Sequence, residues 1–180
     1  MRAAWYGVLA QAAVGFEPDP PPPPPPAIVY AVLDPDESNA ETANLSTVSG
    51  FRFTVGDDPL TVRKLRLRMP QESGAELVQL WRVSDQVKIA EQSVTPPSDG
   101  AYAEVELNEA VTLNAATDYI VSHDRVGGGS RLIHRGGAPT FNPAIFFVDA
   151  VFGNAGTYPG SVSTAGIRTG ADFGFDEVAT

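Results

Sequence analysis

From Val48 to Phe152 the chain is written in short apolar runs broken by turn residues, and the dominant period is two. Phe51, Phe53 and Val55 point one way while Arg52 and Thr54 point the other, the alternation of a half-buried strand. Gly56-Asp57-Asp58-Pro59 then reads as a turn. In the next run Leu65, Leu67 and Met69 alternate with Lys64, Arg66 and Arg68, whereas Leu60 and Val62 are out of phase with them. A bulge or kink near Arg63 is therefore expected. Tyr102 to Leu107 alternates in the same way with Glu104 and Glu106 outward. Pairing this acidic stripe with the basic one across neighbouring strands would form cross-strand ion pairs.

The other segments follow the same grammar. Residues 75–83 are apolar on both faces, as in a central strand, and Trp81 is expected in the core rather than against a ligand. Residues 86–94, 111–113, 117–123 and 131–135 read as further strands. Gly127-Gly128-Gly129 marks a loop tip, and 136–143 a second long loop. Ile145 to Phe152 is the most apolar segment and is expected to lie deep in the core. A first strand is predicted over Ala27 to Leu33 and a last one around Asp172 to Phe175. About eight to ten strands with turns every ~8–12 residues predict an all-β fold: an antiparallel β-sandwich, jelly-roll-like.

Ahead of this body stand seven consecutive prolines, Pro20 to Pro26. Proline fixes φ and lacks an amide donor, so the run is expected to form a polyproline II spacer of roughly 20 Å, stiffer than a Gly/Ser linker. The chain thus divides into an N-terminal anchor peptide (1–16), an extended polyproline neck (17–26) and a sandwich domain (27–180). The anchor carries Trp5, Tyr6, Val8, Leu9 and Phe16, too dense an apolar set for a solvated tail. These five, with Pro20 and Pro26 bounding the rod, are the candidate assembly residues. Arg2, the apolar run from Ala3 to Leu9 and Ala10-Gln11-Ala12 also fit a short secretory signal, the competing reading of the same residues.

Composition narrows the partners. A net charge of −10 and a pI near 4.5 disfavour nucleic acid and anionic membrane, which must be met by Lys and Arg. No run reaches the ~18 apolar residues of a membrane-spanning helix. The chain has no cysteine, so disulfides, thiolate metal sites and cysteine nucleophiles are excluded. His123 and His134 fall in separate strands, with no His-Glu-x-x-His pattern for zinc. Gly-x-Ser-x-Gly, Walker and dinucleotide spacings are absent too, so no enzyme, metal or cofactor is expected. Calcium held by Asp57 and Asp58, or by the Asp34 to Glu37 loop, is the one alternative, against the plain reading of those residues as turn formers. For binding, loops and outer faces supply Tyr102, His123, Arg125, Arg131 and Tyr158 as candidate ligand residues.

The order of several segments resembles a bacterial module of unknown function found on secreted glycoside-acting and surface proteins. The matching stretches are Ser49-Gly50-Phe51-Arg52-Phe53, Val62 to Leu67, Val78-Gln79-Leu80-Trp81-Arg82, Val111-Thr112-Leu113, Thr117 to Val121, and Phe146 to Phe152. Ala110 stands where that family has proline, and Phe146-Phe147 where it has Tyr-Trp. The resemblance covers about residues 48–152 and implies a jelly-roll-like sandwich with a glycan-binding or adhesive role and no established active site. Peg, proline neck and acidic β-domain also resemble, as architecture alone, the small fibre and decoration proteins of tailed phages. The leading expectation is a virion protein held to other virion proteins through residues 1–26, in multiple copies or as a homo-oligomer, with cell-surface glycan as candidate ligand. The alternative is an extracellular, non-catalytic carbohydrate-binding module. A third reading, an oligomeric scaffold, has the N-terminal segments packing on one another.

Overall fold

The computed structural model describes residues 20–34, 40–43, 47–69, 74–97, 100–125, 131–134, 139–164, 166–167 and 169–177. Trp5, Tyr6, Val8, Leu9 and Phe16 lie outside the described residues, as does most of the Asp34 to Glu37 loop. Pro20 to Pro26 are exposed and belong to no strand. They lead into β1 (Ile28–Tyr30), followed by β2 (Val32–Asp34), β3 (Ala40–Ala43), β4 (Thr47–Val55) and β5 (Leu60–Arg68). Next come β6 (Glu76–Arg82), β7 (Val87–Val94), β8 (Tyr102–Leu113), β9 (Asp118–Arg125) and β10 (Arg131–His134). The chain ends through β11 (Thr140–Phe141), β12 (Ile145–Asn154), β13 (Ser161–Val162) and β14 (Ala171–Asp176).

Two antiparallel sheets face each other, as the alternation predicts. One has four strands in the order β1-β14-β5-β8, the other six in the order β13-β12-β4-β9-β6-β7. Two small pairs, β2–β11 and β3–β10, complete the pairing. The core between the sheets takes Phe51, Phe53 and Val55 from β4, Val78 and Leu80 from β6, and Tyr119 and Val121 from β9. Opposite them stand Leu60, Val62, Leu65 and Leu67 from β5, with Phe173 and Phe175 from β14. The register of β5 against β8 shifts between Val62 and Lys64. That bulge at Arg63 lets Leu60 and Val62 point inward together with Leu65 and Leu67, which resolves the change of phase in the sequence.

Gly50 lies opposite Ser122 at the β4–β9 pairing. A Cβ there would fall 2.2 Å from the Val121 carbonyl oxygen and 2.7 Å from Ser122 Cβ. The nearest obstacle is backbone of a central strand, which has no rotamer to give. Gly50→Ala is therefore expected to cost about 2 kcal/mol, as overpacking does, read as a lowered urea midpoint with the slope unchanged. An unchanged midpoint would show that the two strands part there without loss.

One expectation needs correction. Ile145 to Phe152 does not lie deep in the core. Ile145, Ala150 and Val151 are buried, but Phe146 is 62% exposed, Phe147 42%, Val148 40% and Phe152 43%. The reason is position: β12 is bonded to β4 along one side, while on the other β13 covers only Val151 and Phe152. Trp81 is buried as expected, in a second core cluster outside the space between the sheets. Val78 and Leu80 take the inner face of β6, so parity sends Trp81 to the outer one, where it packs with Ile120 and Val151 beneath Val83 and Tyr158.

Candidate functional site

The basic stripe of β5 is fully engaged on the outer face of the four-stranded sheet. Arg66 is the hub: its guanidinium carbon lies 3.6 Å from the ring centroid of Tyr30 and 3.8 Å from that of Tyr102. It donates to Asp172 at 2.6 and 2.7 Å and to the Val32 carbonyl at 2.9 Å. Lys64 bonds Glu104 at 2.7 Å, Tyr30 donates to the same carboxylate, and Arg63 pairs with Asp176. The expected cross-strand pairing with Glu104 is present, but β14 lies between β1 and β5 and takes Arg66 and Arg63 for itself. Lys64 first, then the Tyr30 hydroxyl, hold Glu104 below the usual carboxylate range. Burial pushes the Asp172 carboxyl up to about 6, against the pull of Arg66 and of the Phe173 and Val32 backbone N–H groups. Tyr102, a candidate ligand residue, has its ring over Arg66, and burial pushes its phenol upward.

His123 is also placed by parity. It shares the inner face of β9 with Tyr119 and Val121 and is fully buried. Its Nδ1 lies 2.7 Å from Thr169 Oγ1 and its Nε2 3.6 Å from Glu76 Oε2, and Glu76 is itself fully buried. Hydroxyl, imidazole and carboxylate stand in a row as in nucleophilic hydrolases, but with the roles of the two ring nitrogens exchanged. Here the Thr169 oxygen also accepts from the Ala171 N–H at 3.0 Å, inside a closed interior where the imidazole meets no surface ligand.

Tyr158 packs edge-on against Trp81, centroids 5.8 Å apart at 80°, while Trp81 Nε1 donates to Ser122 Oγ at 3.1 Å. Burial raises the Tyr158 phenol, with Arg52 pulling back. Arg125 ends β9 and Arg131 opens β10, flanking residues 126–130; their side chains lie outside the described residues. Of the five candidate ligand residues, Tyr102 thus lies in the four-stranded sheet, His123 and Arg125 in the six-stranded one, Arg131 in the small β3–β10 pair and Tyr158 between β12 and β13. Among the described residues no group of three or more His, Cys, Asp or Glu is placed to hold a metal ion.

What the fold does bring together is an apolar flank along β12. Phe146, Phe147 and Val148 of β12 stand exposed, and the Phe147 ring stacks on Phe141, centroids 5.3 Å apart at 11°. Beside them runs a cleft of about 450 Å³, bounded across from β12 by Pro139, Phe141 and Ile167. Phe146 lies at a second cleft, whose walls include Asp57, Asp58 and Glu177. Phe146 and Phe147 thus leave large apolar side chains exposed at two clefts along one strand. No protein-family model matches the chain, and no curated protein matches it.

Proposed function

We propose that this chain is a non-catalytic structural protein of a phage or phage-like particle, of fibre, spike or decoration type. Residues 1–16 anchor it among other virion proteins, the neck spaces it, and the sandwich is displayed outward with host-surface glycan as its ligand. The observation that carries this reading is the exposed run Pro20 to Pro26, which passes directly into β1 at the edge of a sheet. A stiff spacer joined to a folded domain holds that domain at a distance from its attachment.

The stacked pair Phe141 and Phe147 beside an open cleft favours a second reading, a secreted carbohydrate-binding module, because flat rings are platforms for sugars. One experiment separates the two: mass spectrometry of purified particles from cells making the full chain or a chain lacking residues 1–16. The first reading expects the full chain in the particles and the shortened chain absent from them. Recovery of the protein only from the medium, cleaved before the prolines and retained on glycan resin, would overturn it in favour of the second.

A further inference from the structure

Sheet edges are where one chain pairs with another, and proteins usually blunt them. Three of the four edges here are blunted. β8 carries Glu104, Glu106 and Glu109, and β7 carries the ion-paired Lys88 and Glu91. β1 is three residues long and follows seven prolines, which have no N–H to offer. The fourth edge is different. From Ile145 to Asp149 β12 has no strand on the side away from β4 among the described residues, because β13 reaches only Val151 and Phe152 and Ser163 N donates to the Ala150 carbonyl. That unpaired stretch presents Phe147 and Val148 at one cleft and Phe146 at the second, and edge and clefts together form a trough bearing exposed apolar side chains.

We infer that this trough receives the N-terminal segment, residues 1–16, of a second copy of the chain, giving head-to-tail assembly. The inference rests on the reading of that segment as an anchor and names the subunit that receives it. Three observations choose this occupant. The segment supplies Trp5, Tyr6, Val8 and Leu9, the large apolar side chains that an apolar trough takes. Its one charged residue is Arg2, and the wall beside Phe146 carries Asp57, Asp58 and Glu177. The neck also leaves in the wrong direction for self-docking. Pro25 and Pro26 share a cleft with Arg63, Lys64 and Leu107, over β5 and β8, the flank of the sandwich opposite β12. A rod of about 20 Å running past that flank ends within reach of a neighbour's β12 edge. The register of β12 shifts between Phe147 and Asp149, which limits added backbone pairing to a few residues. The aromatic side chains therefore supply most of the affinity.

A heterologous contact of this kind has a signature that an isologous one lacks. Sedimentation velocity is run on the full-length wild type, on Trp5→Asp, which spoils the segment, and on Phe146→Asp, which spoils the trough. Val148→Lys serves as a second trough variant, and thermal melting confirms that each variant is folded. The wild type is expected to grow with concentration and each variant to self-associate at least about tenfold more weakly. Mixed in equal amounts, Trp5→Asp and Phe146→Asp are expected to form one junction, a dimer that grows no further. Assembly by Trp5→Asp alone would overturn the inference in favour of edge-to-edge pairing of β12. Assembly by both trough variants would overturn it in favour of segment-to-segment packing. A wild type that stays monomeric would also overturn it while leaving the particle reading intact, since that reading is measured by incorporation into particles.

Discussion

Asp172→Ala is expected to lower the unfolding free energy by about 3–5 kcal/mol, the cost of removing one partner from a buried ion pair. Asp172 is fully buried, accepts from Arg66 at 2.6 Å and takes the Val32 N–H at 3.2 Å. Its loss leaves the guanidinium between two tyrosine rings with only the Val32 carbonyl as a hydrogen-bond acceptor, and leaves a backbone donor unmatched. Urea unfolding measures it, and a loss under about 1 kcal/mol would mean that water reaches the site and replaces the carboxylate.

The same group gives the pH dependence a sign. Its folded value is about 6, above the 3.8 of the free side chain. Its contribution to stability is therefore fully present below the unfolded value and lost as pH rises through about 6. The difference corresponds to about 3 kcal/mol. Glu104 works in the opposite sense, since its lowered value favours the fold above the ordinary carboxylate range and that gain is lost as pH falls. The advantage of wild type over Asp172→Asn is expected to shrink between pH 4.5 and 7.5. An advantage that grows over that interval would show that the pull of Arg66 outweighs burial.

Phe53→Ala is expected to cost about 3–5 kcal/mol as well, for a different reason. Phe53 has no exposed surface, stacks on Phe173 across the sandwich at 5.0 Å, and sits 5.9 Å from Phe51 and 6.1 Å from Tyr119. It joins the middle of one sheet to the middle of the other. Truncation opens a cavity that two hydrogen-bonded sheets cannot close by local collapse, so the whole transfer and cavity cost remains. The urea midpoint is expected to fall with its slope preserved, and a changed slope would mean that the sheets had separated into a looser state.

How far the sequence reading reached depended on whether a feature was local. The faces of β4, β5 and β8 followed from alternation, and the bulge at Arg63 from a change of phase, because both are properties of a few adjacent residues. His123 carried a readable signal too: it sits two residues from Val121 and four from Tyr119, on the same parity as core side chains. A histidine in that phase belongs to the interior. Strand order is not local. Nothing in the stripe Lys64 to Arg68 says that the last strand, rather than only Glu104 and Glu106, will supply its counter-charges. β12 fails for a related reason, because an apolar run on both parities describes a strand between two neighbours and a strand waiting for one equally well. The anchor residues Trp5 to Phe16 lie outside the described residues, so their place rests on the sequence and on the test by mixed variants.

The position of β14 has one more consequence, for the order of events in making the protein. It is the last strand in the chain, yet it lies inside the four-stranded sheet, between β1 and β5. It brings Phe173, Phe175 and Asp172, which close the core and neutralise Arg66. A nascent chain that has not reached Ala171 has its first and fifth strands with a gap between them, a half-lined core and Arg66 without its carboxylate. The domain is therefore completed only when Ala171–Asp176 joins the sheet, and until that moment the growing polypeptide depends on whatever shelters its unfinished sheet.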